Sequence, residues 1–403
     1  MATKGFRQAG HTPSLAAALI HFDVSFLCWV LVGALGAYIA TDLGLSATQK
    51  GLMVAVPPLG GAAFRLLLGP LSDRMGIKRL GLATLALTLV PLLWGALAAT
   101  TFVEILGVGL LLGVAGASFA VALPLASRWY PPEHQGLALG IAGAGNSGTV
   151  IAALAAPRLA EHVGWHGTFA LAMVPVTLAW VAFALLAKEP PRPASTAPAG
   201  GVLSLLRDSD PRWLCGFYLV TFGGFVGLSG YLPIFFVDRF GLTKVAAGGF
   251  AALCAVAGSL LRPVGGVAAD RIGGTRVLGA VLTVAAGIAA ALAILPGLGV
   301  TVALLFCLLG VLGMGNGAVF QLVGRRVPER VGAMTGLVGA AGGLGGFLLP
   351  FGFGWLASTT GSFAAGFAVL ANVAGLGALA VAGRDRAWSI PRSAPAGLVE
   401  AAA

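Results

Sequence analysis

Twelve long apolar stretches run through the 403-residue chain, each separated from the next by a short polar or Gly/Pro-rich connection. A helix needs about 20 apolar residues to cross the hydrocarbon core of a bilayer. Only 9% of the residues are charged, whereas soluble domains carry about 25%. The chain is therefore predicted to be an all-α polytopic membrane protein, and a water-soluble enzyme is strongly disfavoured. The 62 glycines suit membrane helices that approach one another closely.

The apolar stretches form two sets of six, separated by a Pro/Ala/Gly-rich segment without periodicity that is typical of a linker. We therefore expect an N-terminal six-helix half (1–187), a cytoplasmic linker (188–211), a C-terminal six-helix half (212–383) and a cytoplasmic tail (384–403). The predicted spans are 15–40, 47–70, 80–99, 101–127, 136–159, 165–187, 212–237, 244–268, 277–296, 299–323, 333–357 and 361–383.

The positions of the 24 basic residues predict the orientation, because short cytoplasmic connections collect Lys and Arg. With both termini in the cytoplasm, 18 basic residues fall in cytoplasmic segments and 4 in the opposite connections. The remaining two, Arg65 and Arg262, lie within apolar spans. The net charge of +10 thus reflects topology and these two arginines, and no nucleic-acid partner is expected.

The two halves are related by an internal repeat. GAAFRLLLGPLSDRMG aligns with GSLLRPVGGVAADRIG at an offset of 197 residues, which pairs Arg65 with Arg262. The same offset pairs Arg128 with Arg325, and one residue less pairs Gly143 with Gly339. Parallel repeats of this kind place a transporter's substrate near the midplane, between the halves.

The connection after the second span resembles the loop signature of the major facilitator superfamily through Gly69, Asp73, Arg74 and Gly76. The segments GLALGIAGAGNSGTVIAALAAP and GLVGAAGGLGGFLLP resemble the paired glycine-rich signatures of its nitrate/nitrite porter family. AAFRLLLGPLSDR and GMGNGAVFQLVGRR fit that family too, so the resemblance covers nearly the whole chain. It implies a monomeric major facilitator fold with nitrate and nitrite as substrates.

Arg65 and Arg262 are the candidate anion ligands. Arg65 precedes Asp73 by eight residues, which is about 12 Å along a helix, so its guanidinium is too deep to reach the interface easily. Burying a guanidinium without a partner costs several kcal/mol. Two such cations facing one cavity require an anion, and the planar donor fork of arginine matches a planar oxyanion. Alternatively, each arginine bonds to unwound backbone carbonyls or packs against an aromatic ring.

The family resemblance suggests further members of the pocket. Tyr218 and Phe222 are four residues apart, which places them on one helical face. Asn146 could donate its amide. Independently of the resemblance, Asn316 aligns with Phe119 at the 197-residue offset, so it could face the cavity or instead bond another helix. The remaining predicted pocket residues are Phe119, Phe22 and Phe26 as aromatic walls, unless they belong to the core, and Gly143 and Gly145 as points of close backbone approach.

Two further groups are predicted to serve conformational change. Glycines of helices 5 and 11 are expected to let helices slide, although close packing alone would also explain them; they are Gly140, Gly336, Gly339 and Gly343, together with Gly143. Charged residues of the matching connections are expected to form an inner gate when the cavity faces outward, or else only to fix topology and helix ends; they are Asp73, Arg74, Asp270, Arg271, Arg128 and Arg325.

The sequence leaves open whether transport is coupled to protons. Asp23 with His21 is the titratable cluster nearest a pathway helix, although these residues could instead be a capping or interfacial pair in the first turns of that helix. The lack of a clear proton carrier in the pocket is consistent with nitrate/nitrite antiport. The compact chain with short loops, however, resembles the proton-symport type of the family, and this resemblance implies nitrate/proton symport, as in nitrate assimilation. A carrier of another small inorganic anion is the alternative among transporters. A membrane sensor or channel is a further alternative, but the duplicated six-helix halves with midplane arginines fit a transporter better. The expected location is a bacterial or archaeal inner membrane, surrounded by lipid, with no cofactor or metal.

Overall fold

The computed structural model describes residues 6–191, 201–327 and 330–389, apart from a few side chains, and these residues form helices and connections without any strand. The linker predicted at 188–211 therefore lies partly outside the described residues. Its last part holds a short 3-10 helix, Val202–Arg207.

The N-terminal half contains six membrane-spanning segments, which we label α1 to α6. The first is broken into three pieces at Val30 and Leu35, and the fourth into two. The ranges are Thr12–Trp29, Leu31–Ala34 and Gly36–Asp42 (α1), Ala47–Met75 (α2), Ile77–Leu97 (α3), Phe102–Gly116 and Phe119–Ser127 (α4), Pro132–Gly143, Ala144–Ser147 and 148–163 (α5), and 165–186 (α6).

The C-terminal half contains six continuous helices, α7 to α12. Their ranges are Ser209–Phe240 (α7), Lys244–Ile272 (α8), Gly274–Ala293 (α9), Leu298–Arg326 (α10), Val331–Thr360 (α11) and Ala364–Ser389 (α12).

Eleven stretches of the described residues are long and apolar enough to span a membrane, and one of them, Leu137–Leu186, is 50 residues long. Gly164 divides this stretch with a φ of 71°, a conformation that glycine adopts without strain. It therefore crosses twice, which gives twelve spans and confirms the predicted all-α fold. An even number of spans puts the two chain ends on one side, called here the terminal end; the opposite side is the far end.

The repeat motif after α2 and α8 marks two matching sharp reversals. Gly76 and Gly273 follow these helices with φ values of 87° and 99°, which residues other than glycine rarely adopt. At the first reversal, the Glu189 carboxylate accepts hydrogen bonds from the backbone N–H groups of Ile77 and Lys78, at 2.7 and 2.9 Å. A carboxylate at this position satisfies the otherwise unpaired donors at the start of α3.

The two halves touch closely at the far end. A Cβ added at Gly51 of α2 would lie 2.5 Å from the carbonyl oxygen of Pro350 in α11, and one at Gly33 of α1 would lie 2.7 Å from that of Gly230 in α7. The ammonium group of Lys50 forms an ion pair with the Asp238 carboxylate at 2.8 Å. Backbones in such contact leave no passage, so this end is closed.

The halves are apart at the terminal end. No described atom outside the local helix lies within 4 Å of a Cβ placed at Gly69 of α2, at Gly140 of α5, at Gly266 of α8 or at Gly336 of α11. The polar contacts described there, such as the ion pair between Arg326 and Asp210 at 3.0 Å, join helices of the same half. The protein is therefore open at the terminal end and closed at the far end.

Candidate functional site

Arg65 and Arg262 occupy equivalent places in α2 and α8. Both helices have 29 residues, and each arginine comes 18 residues after the first. The side chains are buried, with exposed fractions of 2% and 9%. Among the described residues neither arginine forms an ion pair. The repeat therefore places two uncompensated cations inside the membrane-spanning part of the protein.

The guanidinium of Arg65 is held by backbone carbonyls from both halves. Its Nε donates to the carbonyl oxygen of Gly116 at 3.0 Å, and its Nη1 donates to that of Gly339 in α11 at 2.5 Å. These bonds fix the guanidinium plane between α4 and α11, and they match the carbonyl bonding that the sequence also allowed for a buried arginine. Nη2 remains without a hydrogen-bond partner.

Arg262 lies against the aromatic part of the same site. Its guanidinium carbon is 5.7 Å from the ring centre of Phe119 and 5.6 Å from that of Phe320. The Arg262 side chain also lies near the Tyr218 hydroxyl, while its Nη1 has no hydrogen-bond partner. Arg65 is 5.7 Å from the same Phe119 ring, so the two arginines share one aromatic wall.

Aromatic rings enclose both guanidinium groups. Tyr218 and Phe222 are stacked at 4.8 Å with an angle of 7° between their planes, which confirms that they share one face of α7. Both rings fit against α11 because Gly342 has no side chain there. Arg65 also lies 5.1 Å from the Trp29 ring centre and 5.2 Å from that of Phe222. Cation–π contacts of this kind stabilise a desolvated guanidinium.

Two buried amides are among the polar groups of the central helices that lack a hydrogen-bond partner. Asn146 in the 3-10 segment of α5 and Asn316 in α10 are each 1% exposed. Neither the oxygen nor the nitrogen of either amide has a hydrogen-bond partner. The bond to another helix that the sequence allowed for Asn316 is therefore not formed. Leaving a buried polar group unsatisfied costs about 1–3 kcal/mol, so both amides remain candidates for binding a polar group.

For three of the predicted pocket residues, the described contacts are with residues other than the two arginines, or there are none. Phe26 packs against Phe22 at 4.5 Å and Trp29 at 5.0 Å, one layer behind the site. Gly145 faces α1, where an added Cβ would lie 2.8 Å from the Cβ of Phe22. Around Gly143 there is open space, with no described atom within 4 Å of an added Cβ.

Asp23 and His21 do not form a pair. Because α1 begins at Thr12, both residues lie well inside the helix rather than in its first turns. His21 points to α3, where its Nε2 is 3.2 Å from the hydroxyl of Thr84, whereas the Asp23 carboxylate accepts a hydrogen bond from Ser147 of α5. The N-terminal cap of α1 is His11, which accepts from the backbone N–H of Ser14 at 3.1 Å.

The predicted sliding glycines differ in their surroundings. Gly343 packs against the Pro58 carbonyl oxygen of α2, 2.9 Å from an added Cβ, and Gly339 faces Arg65. The expected close packing is absent at Gly140, Gly143 and Gly336. They lie toward the terminal end, where the two halves have separated.

The charged residues predicted to form an inner gate lie at this open end. Arg74, Asp270, Arg271 and Arg325 are exposed, and Arg128 is half-buried. The Asp73 side chain is not among the described ones. The ion pair that joins the two halves in the described part of the chain is instead Lys50 with Asp238, at the far end.

Two aromatic residues that contact the arginines were not singled out from the sequence. Phe320 follows Asn316 by four residues and therefore shares its helical face, and Trp29 follows Phe26 by three. Each spacing could have indicated that the aromatic residue lies on the same helical face as a predicted pocket residue. They were hidden because aromatic residues are frequent throughout the apolar spans.

The fold and the site together define a secondary transporter, with twelve spans in two repeated halves and a buried cationic site where the halves meet. The family model of the Major Facilitator Superfamily matches residues 17–350. A bacterial homologue of the human lysosomal transporter Spinster, solved in an inward-facing and occupied conformation, shares the fold with a TM-score of 0.75, at 17% identity over 98% of this chain and 100% of that one.

Two curated relatives narrow the assignment. The chain is 39% identical over 350 residues to the probable nitrate/nitrite transporter NarK2 of Mycobacterium tuberculosis, covering 85% of this chain and 88% of the relative. It is 34% identical over 352 residues to the nitrite extrusion protein of Bacillus subtilis, covering 87% and 88%. The chain belongs to the major facilitator superfamily and, within it, to the nitrate/nitrite porter family.

Proposed function

We propose that this protein moves nitrate and nitrite across the inner membrane by alternating access, with the anion held between Arg65 and Arg262. Both chain termini are then cytoplasmic, as the excess of Lys and Arg at that end predicts. The terminal end is the cytoplasmic side, and the described conformation faces inward. The carrier works as a monomer in the lipid bilayer, and it needs no catalytic chemistry.

The observation that carries this proposal is the set of unpartnered donors on the two arginines. Arg65 Nη2 and Arg262 Nη1 are buried and have no hydrogen-bond partner. Their positive charges are not balanced by an ion pair in the described part of the chain. A small oxyanion supplies the missing negative charge and accepts hydrogen bonds from both nitrogens. Charge-assisted hydrogen bonds of this type are about twice as strong as neutral ones.

The surroundings favour a small, flat anion. The aromatic rings of Phe119, Phe222 and Phe320 leave the edges of the guanidinium groups for polar contact, and the amide of Asn146 is available as a further donor. On the far-end side, the cavity next to Trp29 has a volume of only about 10 Å³, room for at most one water molecule. The anion is therefore released toward the terminal end in this conformation.

Nitrate/proton symport is the mode we favour, and nitrate/nitrite antiport is the alternative. In symport, Asp23 of α1 is the candidate proton carrier, because it is a half-buried carboxylate beside the 3-10 segment that holds Asn146. In antiport, the empty site with two positive charges resists reorientation, and only a loaded carrier changes state. The name of the B. subtilis relative, which describes nitrite leaving the cell, fits an exchange mode.

Reconstitution in liposomes tests both the function and the mode. We expect nitrate and nitrite uptake by the purified full chain, and a proton gradient alone should stimulate it if symport is correct. Strict dependence on preloaded nitrite would select antiport. If neither nitrate nor nitrite is taken up under either condition, and the liposomes accumulate phosphate or sulfate instead, the proposed substrate is wrong.

The far-end ion pair predicts a measurable shift in the conformational equilibrium. Lys50 and Asp238 are 20% and 27% exposed, and exposed pairs contribute up to about 1 kcal/mol. Lys50→Gln should therefore move the equilibrium about fivefold toward the state open at the far end. The readout is the distance between spin labels at Met75 and Ile272, which are repeat-related and exposed at the terminal end.

The double variant Lys50→Asp with Asp238→Lys serves as the control. It restores the opposite charges in reversed order, and we expect it to return the label distances to those of the parent protein. If Lys50→Gln leaves the distribution unchanged, the pair does not contribute to closure.

A further inference from the structure

The Asn146 amide stands on an irregular stretch of α5. Residues Ala144–Ser147 form a 3-10 helix between the α-helical parts that end at Gly143 and begin at Gly148. A 3-10 helix turns about 120° per residue, compared with about 100° in an α-helix. If Ala144, Gly145 and Asn146 returned to α-helix, the amide would swing by several tens of degrees. A contact that holds this stretch in its present form would therefore set the direction of the amide.

The backbone of α1 lies directly against this stretch. A Cβ at Gly145 would lie 2.9 Å from the backbone nitrogen of Asp23, and one at Gly148 would collide with the Asp23 carbonyl oxygen. The two glycines thus let α5 approach α1 at Phe22 and Asp23, on both sides of Asn146 in sequence. Close packing fixes the distance between the helices, but apolar contact alone does not fix how α5 is rotated.

A hydrogen bond supplies the missing directional contact. The Ser147 hydroxyl, next to Asn146 in the 3-10 segment, donates to Oδ1 of Asp23 at 2.5 Å. The same hydroxyl oxygen lies 2.8 Å from the carbonyl oxygen of Ala144 at the start of the segment. The carboxylate therefore binds the segment at the residue that follows the amide, and the hydroxyl spans the segment from end to end.

We propose that Asp23 and Ser147 are positioning residues that hold the Asn146 amide toward the anion, and that they thereby set the affinity of the site. This inference rests on the proposed function, because it assigns a role in binding the same anion. It gives Asp23 a role that does not require proton transfer. The carboxylate acts through α5, since its bond is to Ser147 and not to either arginine.

The test is a double-mutant cycle on the purified full chain, with the Kd for nitrate measured by calorimetry. Loss of a hydrogen bond to a charged group should raise the Kd about tenfold in Ser147→Ala and in Asp23→Ala. Asn146→Ala should raise it to a similar extent. If the first two residues act through the amide, neither Ser147→Ala nor Asp23→Ala should weaken binding further in the Asn146→Ala background.

Conservative and matched variants separate positioning from general damage. Asp23→Asn keeps an oxygen that can accept from Ser147, so we expect a Kd within about threefold of the parent. Thr177→Ala is the matched control, because that hydroxyl bonds only to the Met173 carbonyl of its own helix at 2.9 Å. It should leave the Kd unchanged. Additive effects of Asp23→Ala and Asn146→Ala, or an unchanged Kd in Ser147→Ala, would overturn the inference.

The outcomes also distinguish this inference from the proposed function. If the parent protein does not bind nitrate, the substrate assignment fails. If the parent binds nitrate and Arg65→Lys does not, while Ser147→Ala binds as tightly as the parent, only the positioning role fails.

Discussion

Arg65→Lys and Arg262→Lys are each expected to lower nitrate affinity by about 10- to 100-fold and to reduce uptake to near background, because each removes charge-assisted bonds worth about 1.5–3 kcal/mol. Lysine keeps the charge, but it replaces a planar fork of five donors with a compact ammonium group. In Arg65 two nitrogens already bond to Gly116 and Gly339 while Nη2 is free. A lysine ammonium group cannot bond to both carbonyl oxygens and also bind an anion in the geometry that the guanidinium allows.

Binding and uptake should be measured separately on folded protein in this experiment. The matched control is Arg239→Lys, because Arg239 is exposed at the far end and bonds to the Leu295 carbonyl at 3.3 Å. We expect it to transport like the parent. Undiminished nitrate uptake by Arg65→Lys or Arg262→Lys would contradict the anion clamp. The protein would then be a nitrate carrier that binds the anion elsewhere.

Gly354→Leu and Gly336→Leu are expected to arrest the carrier in opposite states. Gly354 of α11 lies against the backbone of α2 at the far end, where an added Cβ would be 2.8 Å from the Cα of Gly51. A leucine there keeps the far end from closing. At the terminal end, Gly336 has no described atom within 4 Å of an added Cβ, so a leucine fits the present state and obstructs closure. Overpacking a tight contact typically costs about 1–3 kcal/mol, so each variant should lose most of its transport.

The distance between labels at Met75 and Ile272 separates the two variants. We expect a shorter distance than in the parent for Gly354→Leu and a persistently long one for Gly336→Leu, with or without nitrate. Gly287→Leu is the control, because Gly287 on α9 is exposed and also has open space around it. If Gly336→Leu transports normally, α11 does not close against the other half at this position.

Much of the site could be predicted because it depends on properties that sequence carries directly. The repeat offset places Arg65 and Arg262 at one depth, and a spacing of four residues puts Tyr218 and Phe222 on one face of α7. Both inferences need only helix geometry and the duplication. Trp29 and Phe320 were missed because their contacts depend on how α1 and α10 are rotated toward other helices, which apolar composition does not reveal.

Hydropathy, helix length and internal repetition are local or additive properties, so the twelve spans, the two halves and the pair of buried cations are predictable from the amino-acid sequence alone. Three findings came from the tertiary structure: the far end is closed and the terminal end open, Asp23 binds Ser147 and not His21, and Lys50 and Asp238 form an ion pair between the halves. These facts depend on which residues of distant segments meet. If the protein alternates between two states, as proposed above, the same sequence permits both, and packing between the two halves selects one.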